Sequence, residues 1–193
     1  QLDPINTART LFKGTDNMLE LAKNLNAKFL FASSSEVYGN PSIHPQPESY
    51  KGNVNNLGKR SCYEEGKRVA ETLCSDYKKI YNLEVRIARI FNTYGPGMSI
   101  NDGRVVSNFI IKALNNEPMT IFGDGNQTRS FCFVDDLIDA LIRTMQCNHY
   151  KPINLGNPSE ISIIELAKLI KIKTFSNSEF IFKSLPEDDP LQR

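Results

Sequence analysis

Two short apolar runs, Lys28-Phe-Leu-Phe-Ala32 and Glu84-Val-Arg-Ile-Ala-Arg-Ile-Phe91, stand on either side of one long helical period. Between them, over residues 62–81, Val69, Ala70, Leu73, Tyr77 and Ile80 recur at the spacing of a single helix face. Two strands joined through a helix pair in parallel, and the crossover is right-handed. The pattern therefore predicts an α/β fold built on a parallel sheet. The first run ends in Ser33-Ser-Ser-Glu-Val-Tyr-Gly39 and the second in Asn92-Thr-Tyr-Gly-Pro-Gly97. Polar residues thus gather past the carboxyl ends of both strands, where open α/β sheets place their ligands.

The remaining elements follow from local signals. Residues 17–25 read as the end of a helix, with Met18, Leu21, Ala22 and Leu25 on its apolar face. A Pro-, Asn- and Gly-rich stretch over 40–59 reads as a long loop of the kind that is often functional. Residues 104–115 predict a helix and 119–122 a strand. A turn at Asp124-Gly125 predicts residues 130–134 as that strand's hairpin partner. Asp135 is the expected N-cap of a helix reaching Met145. Residues 153–156 and 180–182 predict two more short strands. Ser162 and Glu165 form a capping box ahead of a helix over 166–172.

The chain has 193 residues, with 23 Lys and Arg against 22 Asp and Glu, so no net field favours nucleic acid or an anionic membrane. No apolar stretch reaches the length of a membrane span. Four cysteines (Cys62, Cys74, Cys132, Cys147) without a CxxC pair, and only two histidines, argue for reduced thiols and against a structural zinc site or disulfide framework; no metal is expected.

The strongest chemical signal is Tyr63-Glu-Glu-Gly-Lys67. Four residues apart on a helix, the phenol and the ammonium are neighbours, although a solvated helix face has the same spacing. A phenol titrates near ~10 and is a poor base at neutral pH, but an adjacent cation favours its ionised form. Gly66 between them costs a helix about 1 kcal/mol relative to Ala; a close backbone approach by a cofactor or partner helix is one explanation and tolerated drift the other.

Together these pieces resemble the extended short-chain dehydrogenase/reductase enzymes that act on nucleotide sugars. The resemblance rests on Phe31-Ala-Ser-Ser-Ser-Glu-Val-Tyr-Gly39, Tyr63-x-x-x-Lys67, Arg86-Ile-Ala-Arg-Ile-Phe-Asn-Thr-Tyr-Gly-Pro-Gly97, Asp102-Gly-Arg-Val-Val-Ser-Asn-Phe109, Gly123-Asp-Gly-Asn-Gln-Thr-Arg-Ser-Phe131 and Asp188-Asp-Pro190. It implies the C-terminal portion of an NAD(P)-binding Rossmann-like, doubly wound parallel sheet over 1–95. Over 96–193 it implies a smaller, mixed α/β substrate domain with elements returning to the sheet. The likeness is nearest to the members that decarboxylate UDP-glucuronate to UDP-xylose through a 4-keto sugar. Related dehydratases carry an Asp-Glu pair where this chain has Ser35-Glu36, and Ser35 is too weak an acid to replace that Asp. A 4-epimerase, a 4,6-dehydratase or a non-catalytic relic pairing with a full-length relative are the alternatives.

The resemblance further implies roles. Tyr63 is the general base and Lys67 holds the nicotinamide ribose; Ser34 bonds the reacting oxygen, and Ser35 beside it belongs to the catalytic set. Glu36 orients the sugar, and Arg129 stabilises or protonates the intermediate. Ser33, Tyr63, Lys67 and Thr93, Tyr94, Gly95, Pro96 and Gly97 are expected to contact NAD. Asn17, Asn92, Arg104, Val105, Thr120, Phe122 and Arg129 are expected to contact the UDP-sugar. Ordinary packing for the apolar residues and surface ion pairs for the arginines are the competing readings. A homodimer through the Tyr63 helix is implied as well. No Gly-x-Gly-x-x-Gly occurs, so the chain is expected to be the C-terminal part of a longer enzyme, with little activity alone. Its expected compartment is the cytoplasm, or the Golgi lumen if an anchor precedes Gln1. Arg9 and Leu11 depart from the family pattern, where a lysine and an asparagine are usual, and both are expected near the site.

Overall fold

The computed structural model describes residues 3–184, which divide into two compact units. One runs to Phe91 and resumes over Leu137–Leu155; the other takes Asn92–Asp136 and the chain from Gly156 on. The helices are α1 (Pro4–Arg9), α2 (Thr15–Asn24), α3 (Ser61–Tyr81), α4 (Val105–Leu114), α5 (Val134–Gln146) and α6 (Ile163–Lys173). The strands are β1 (Phe29–Ser34), β2 (Val85–Ile90), β3 (Thr93–Tyr94), β4 (Met119–Phe122), β5 (Thr128–Ser130), β6 (Cys132–Phe133), β7 (Ile153–Leu155), β8 (Glu160–Ser162) and β9 (Phe180–Lys183). Asp188-Asp-Pro190 lies outside the described residues.

In the first unit, β1, β2 and β7 form a parallel sheet in that order, as the strand–helix–strand pattern predicts. Its register pairs Phe29 with Val85 and Ser33 with Arg89. A π-helical turn over Thr10–Gly14 joins α1 to α2. The predicted apolar face of α2 is not the buried one. Thr15, Leu19 and Ala22 are buried, whereas Met18, Leu21 and Leu25 are 51%, 48% and 67% exposed. The roll of α2 is set by polar contacts. The Tyr77 hydroxyl lies 2.9 Å from Asp16 Oδ1 and 2.6 Å from Glu20 Oε1, which turns the other side of α2 outward.

On α3 the buried line is Gly66, Ala70, Cys74 and Tyr77, a repeat of four, four and three that holds one face. Val69 and Ile80, predicted on that stripe, are exposed instead. They lie off this line, and Leu73 is the partly buried residue at its edge. The helix ends at Asn82, whose left-handed φ of 54° serves as its cap. Leu19, Ala22, Phe31, Ala70, Cys74, Tyr77, Leu83, Val85 and Ile87 close the core between the sheet and α2 and α3.

The second unit overturns the predicted hairpin. β4 pairs in parallel with β9, while Ser130 ends β5, antiparallel to β8, Cys132 and Phe133 form β6, parallel to β3, and Val134 begins α5. The Asp124-Gly125 turn does form, but it leads the chain out of the sheet. Gly123 and Gly125 both have positive φ, the Asp124 carboxylate accepts the Asn126 N–H, and Gln127 donates back to the Phe122 carbonyl. Asp135 sits inside the first turn of α5, one residue past the helix start, so it favours the helix dipole instead of capping it. The capping box of α6 forms as predicted: Ser162 Oγ accepts the Glu165 N–H and Glu165 reaches back to the Ser162 N–H. Met119 and Ile121 on one face of β4 meet Val106, Phe109 and Ala113 of α4 and Ile163, Leu166 and Ile170 of α6.

Candidate functional site

The site begins where β1 ends. Ser34 closes the strand and caps a 3-10 turn over Ser35–Tyr38, its Oγ accepting the Glu36 N–H at 3.2 Å. All four residues of that turn are buried, and Gly39 follows with φ 62°. A Cβ there would lie 2.2 Å from the Asn53 carbonyl oxygen, so only glycine permits the bridge from Gly39 to Asn53 that pins the long loop. Glu36 is 9% exposed, and its Oε2 takes the Arg60 guanidinium at 3.1 Å (Nη2) and 3.3 Å (Nε). Arg60 is the residue just before α3.

The first turns of α3 bring in Tyr63 and Lys67. The Lys67 ammonium lies 5.7 Å from the Tyr63 ring centroid and 5.0 Å from that of Phe31, and it donates to the Ala32 carbonyl at 2.7 Å. Burial holds the Lys67 pKa below the ordinary lysine range. Gly66 is explained by a neighbouring segment of the same chain. A Cβ there would sit 2.6 Å from Leu11 Cδ1, so the departure at Leu11 presses directly on the Tyr63–Lys67 turn. Arg9 is exposed on α1.

Ser33, Ser34, Ser35, Glu36, Tyr63 and Lys67 therefore share one end of β1 and the helix start beside it. Within that group the Ser33 hydroxyl is committed elsewhere, donating to Glu71 Oε1 at 2.5 Å. Asn17 is not brought to this place. It is exposed on α2 next to Asp16, which contacts Tyr77, and fourteen residues of helix separate Tyr77 from Tyr63, roughly 21 Å.

The other predicted contacts belong to the second unit. Asn92 donates to the Ser130 carbonyl at 3.3 Å. Thr93 and Tyr94 form β3, with the Tyr94 ring edge-on to Phe133. Gly95 lies against Val134, where a Cβ would come within 2.4 Å of Cγ1, whereas Gly97, at φ 83°, faces open space after Pro96. Arg104 pairs with Asp102 at 3.1 Å and is largely exposed. Val105 packs against the apolar core, while Thr120 and Phe122 point away from it on the opposite face of β4 from Met119 and Ile121. Arg129 is buried on β5 and donates to the Thr128 carbonyl at 2.8 Å.

Sequence reasoning passes over Arg60, Glu71, Arg89 and Tyr38. Glu71 and Arg89 make a two-pronged pair at 2.9 and 2.7 Å, both nearly buried. Burial works against the Arg89 charge, but Glu71 outweighs it and the guanidinium pKa rises. The available signal was an alternation: two arginines in the apolar run of β2 must find partners on opposite faces. Among the described residues no His, Cys, Asp and Glu cluster could hold a metal ion, and no helix is long and apolar enough to cross a membrane.

A parallel sheet with serine hydroxyls at a strand's carboxyl end and a Tyr-x-x-x-Lys pair on the following helix defines an α/β protein of the nucleotide-cofactor type. Residues 1–156 match the NAD dependent epimerase/dehydratase family, and the chain belongs to that family. It is 56% identical over its whole length to UDP-glucuronic acid decarboxylase 4 of Arabidopsis thaliana, and spans 44% of that relative. Among solved structures, UDP-N-acetylglucosamine 4-epimerase of Methanobrevibacter ruminantium M1 superposes with a TM-score of 0.93 at 26% identity, over 99% of this chain and 61% of that one. UDP-glucuronic acid 4-epimerase of Bacillus cereus, in complex with UDP-glucuronic acid and NAD, gives 0.81 at 26% identity over 95% and 58%.

Proposed function

We propose that the protein decarboxylates UDP-glucuronate to UDP-xylose with NAD as resident cofactor. The observation that carries the proposal is the Lys67 ammonium beside the Tyr63 ring at the carboxyl end of β1, where Ser34 and Ser35 also lie. The 56% identity to a UDP-glucuronic acid decarboxylase supports the choice of reaction.

The donor set fits a nicotinamide nucleotide. Lys67 has three N–H donors, and among the described residues only the Ala32 carbonyl takes one, which leaves capacity for a ribose diol. When bound, NAD supplies a hydride acceptor and donor for sugar C4. Tyr63 removes the C4 hydroxyl proton, with the Lys67 ammonium beside its ring. Ser34 donates to the same oxygen, with Ser35 next to it in the catalytic set. A ketone at C4 makes the sugar a β-keto acid, so the bond between C5 and the carboxyl carbon breaks with loss of CO₂. The electron pair spreads onto the C4 oxygen, where hydroxyl donors stabilise it most. Glu36, held by Arg60, orients the ring, and Arg129 supplies a cation toward the intermediate. Asn92, Arg104, Val105, Thr120 and Phe122 hold the nucleotide end, where a guanidinium fork suits a diphosphate. Thr93, Tyr94, Gly95, Pro96 and Gly97 line the nicotinamide side. The protein works as a homodimer through α3 and its neighbour α2. Cysteines without a CxxC pair suit a reducing compartment, and we favour the cytoplasm over the Golgi lumen on that ground.

The test is to incubate the full-length protein with UDP-glucuronate and follow CO₂ and UDP-xylose. Turnover that Tyr63→Phe lowers by about 10²–10⁴-fold is expected. Formation of a 4-epimer without CO₂ would instead identify an epimerase.

A further inference from the structure

We infer that Glu71 is a positioning residue that fixes how the Tyr63–Lys67 helix sits on the strand carrying the serines, an inference that rests on the catalytic reading of that pair. Glu71 lies one helical turn past Lys67, so the two side chains leave α3 in nearly the same direction. They grip consecutive residues of β1. Lys67 bonds the Ala32 carbonyl at 2.7 Å, and Glu71 Oε1 accepts the Ser33 hydroxyl at 2.5 Å. The next two residues along the chain are Ser34 and Ser35.

The same carboxylate reaches the second strand. Arg89 donates from Nε to Oε1 at 2.9 Å and from Nη2 to Oε2 at 2.7 Å. Ser33 and Arg89 are register partners across β1 and β2, so one carboxylate ties two neighbouring strands to α3 at a single level. Arg89 Nη1 continues the chain of bonds, donating to the Tyr38 hydroxyl at 2.9 Å and to the Glu48 carbonyl at 3.1 Å. The Tyr38 hydroxyl donates in turn to Asn154 Oδ1 on β7 at 2.7 Å. Tyr38 ends the 3-10 turn that holds Ser35 and Glu36. Helix, three strands and the serine turn therefore meet at one ion pair, and Glu71 and Arg89 are 11% and 12% exposed.

A pair that merely filled the core would resist unfolding without caring where α3 sits to within an ångström. A two-pronged carboxylate–guanidinium bond fixes direction as well as distance. Sliding α3 along β1 or rolling it over the sheet breaks the bonds of Lys67 to Ala32 and of Glu71 to Ser33 and Arg89 together. The angle of Tyr63 and Lys67 to the serines thus depends on a residue whose carboxylate is engaged by Ser33 and Arg89.

The experiment compares Glu71→Gln and Ser33→Ala with the natural full-length protein, at temperatures set equally far below each melting point. In turnover of UDP-glucuronate, Glu71→Gln is expected to lower kcat by about tenfold to a hundredfold with KM changed less than threefold. In cofactor-free protein, labelling of Lys67 by an amine-acylating reagent, read by peptide mass, is expected to rise at least fivefold as its seat on Ala32 loosens. Ser33→Ala removes one of the bonds and is expected to shift both readouts in the same direction by less. It keeps the test decisive if Glu71→Gln does not fold. Folded variants with natural kcat and natural Lys67 labelling would overturn the inference. Tyr63→Phe serves as the control: full turnover in that variant overturns the catalytic reading, while the labelling result still judges the clamp.

Discussion

Cys74 carries a pH dependence that belongs to one residue. It is fully buried on the core face of α3, and burial, with Glu71 nearby as a second cause, pushes its thiol up to about 12 from 9.0. In the unfolded chain the thiol ionises from about pH 9, whereas in the folded protein it keeps its proton until about 12. Unfolding therefore releases a proton in that window, and the stability present below pH 9 is lost as pH rises toward 12. At pH 10.5 the loss amounts to about 2 kcal/mol. Tyr77 adds to it with the same sign, since burial and then the Glu20 and Asp16 carboxylates raise its phenol. Urea unfolding at pH 7 and pH 10.5 checks this: Cys74→Ala is expected to shrink the drop between the two by about 2 kcal/mol. An unchanged drop would show that the thiol titrates normally.

At the scale of elements, α6 offers the cleanest separation of local from distant causes. Its start is encoded in four consecutive residues, Ser162 to Glu165, whose reciprocal bonds need no other part of the chain. Ser162→Ala is expected to cost about 1 kcal/mol of stability, read as a lower denaturation midpoint with the fold unchanged. Ser162→Asp, which keeps a cap acceptor, should recover most of it. The same distinction explains which elements could be read in advance. The strands β1 and β2, the extent of α3 and the α6 cap are set by local pattern, and Tyr63 and Lys67 meet because a helix places residues four apart together. The hairpin predicted after β4 does not form, because two glycines and an aspartate specify a turn without specifying its partner strand. The Glu71–Arg89–Ser33 clamp is not legible in the sequence for a related reason. Ser33 faces Arg89 only through the β1–β2 register, which neither segment carries by itself.

For the whole molecule, the face that α2 leaves exposed carries the most information. Met18, Leu21 and Leu25 recur at helical spacing, yet all three point away from the core, and Ile5, Phe12, Val69 and Ile80 are also exposed on the helices of the same unit. Isolated exposed apolar residues are ordinary, but a helix that turns its apolar stripe to solvent and buries Thr15 is not. A stripe of this kind is satisfied by a second copy, because a two-fold axis brings the same patch of each subunit together without requiring a complementary surface elsewhere. Leu21 is the residue to change, since it makes none of the bonds that hold α2 to Tyr77. Leu21→Glu places two like charges near the proposed axis while leaving the buried residues Thr15, Leu19 and Ala22 in place. Sedimentation of the natural protein at tens of micromolar is expected to show a dimer, and the variant a monomer with the same circular dichroism. Turnover should then fall less than dimerisation does, because Tyr63, Lys67 and the clamp at Glu71 all lie within one subunit. A natural protein that sediments as a monomer, or a variant that still pairs, would mean that this stripe is covered by something other than its own copy.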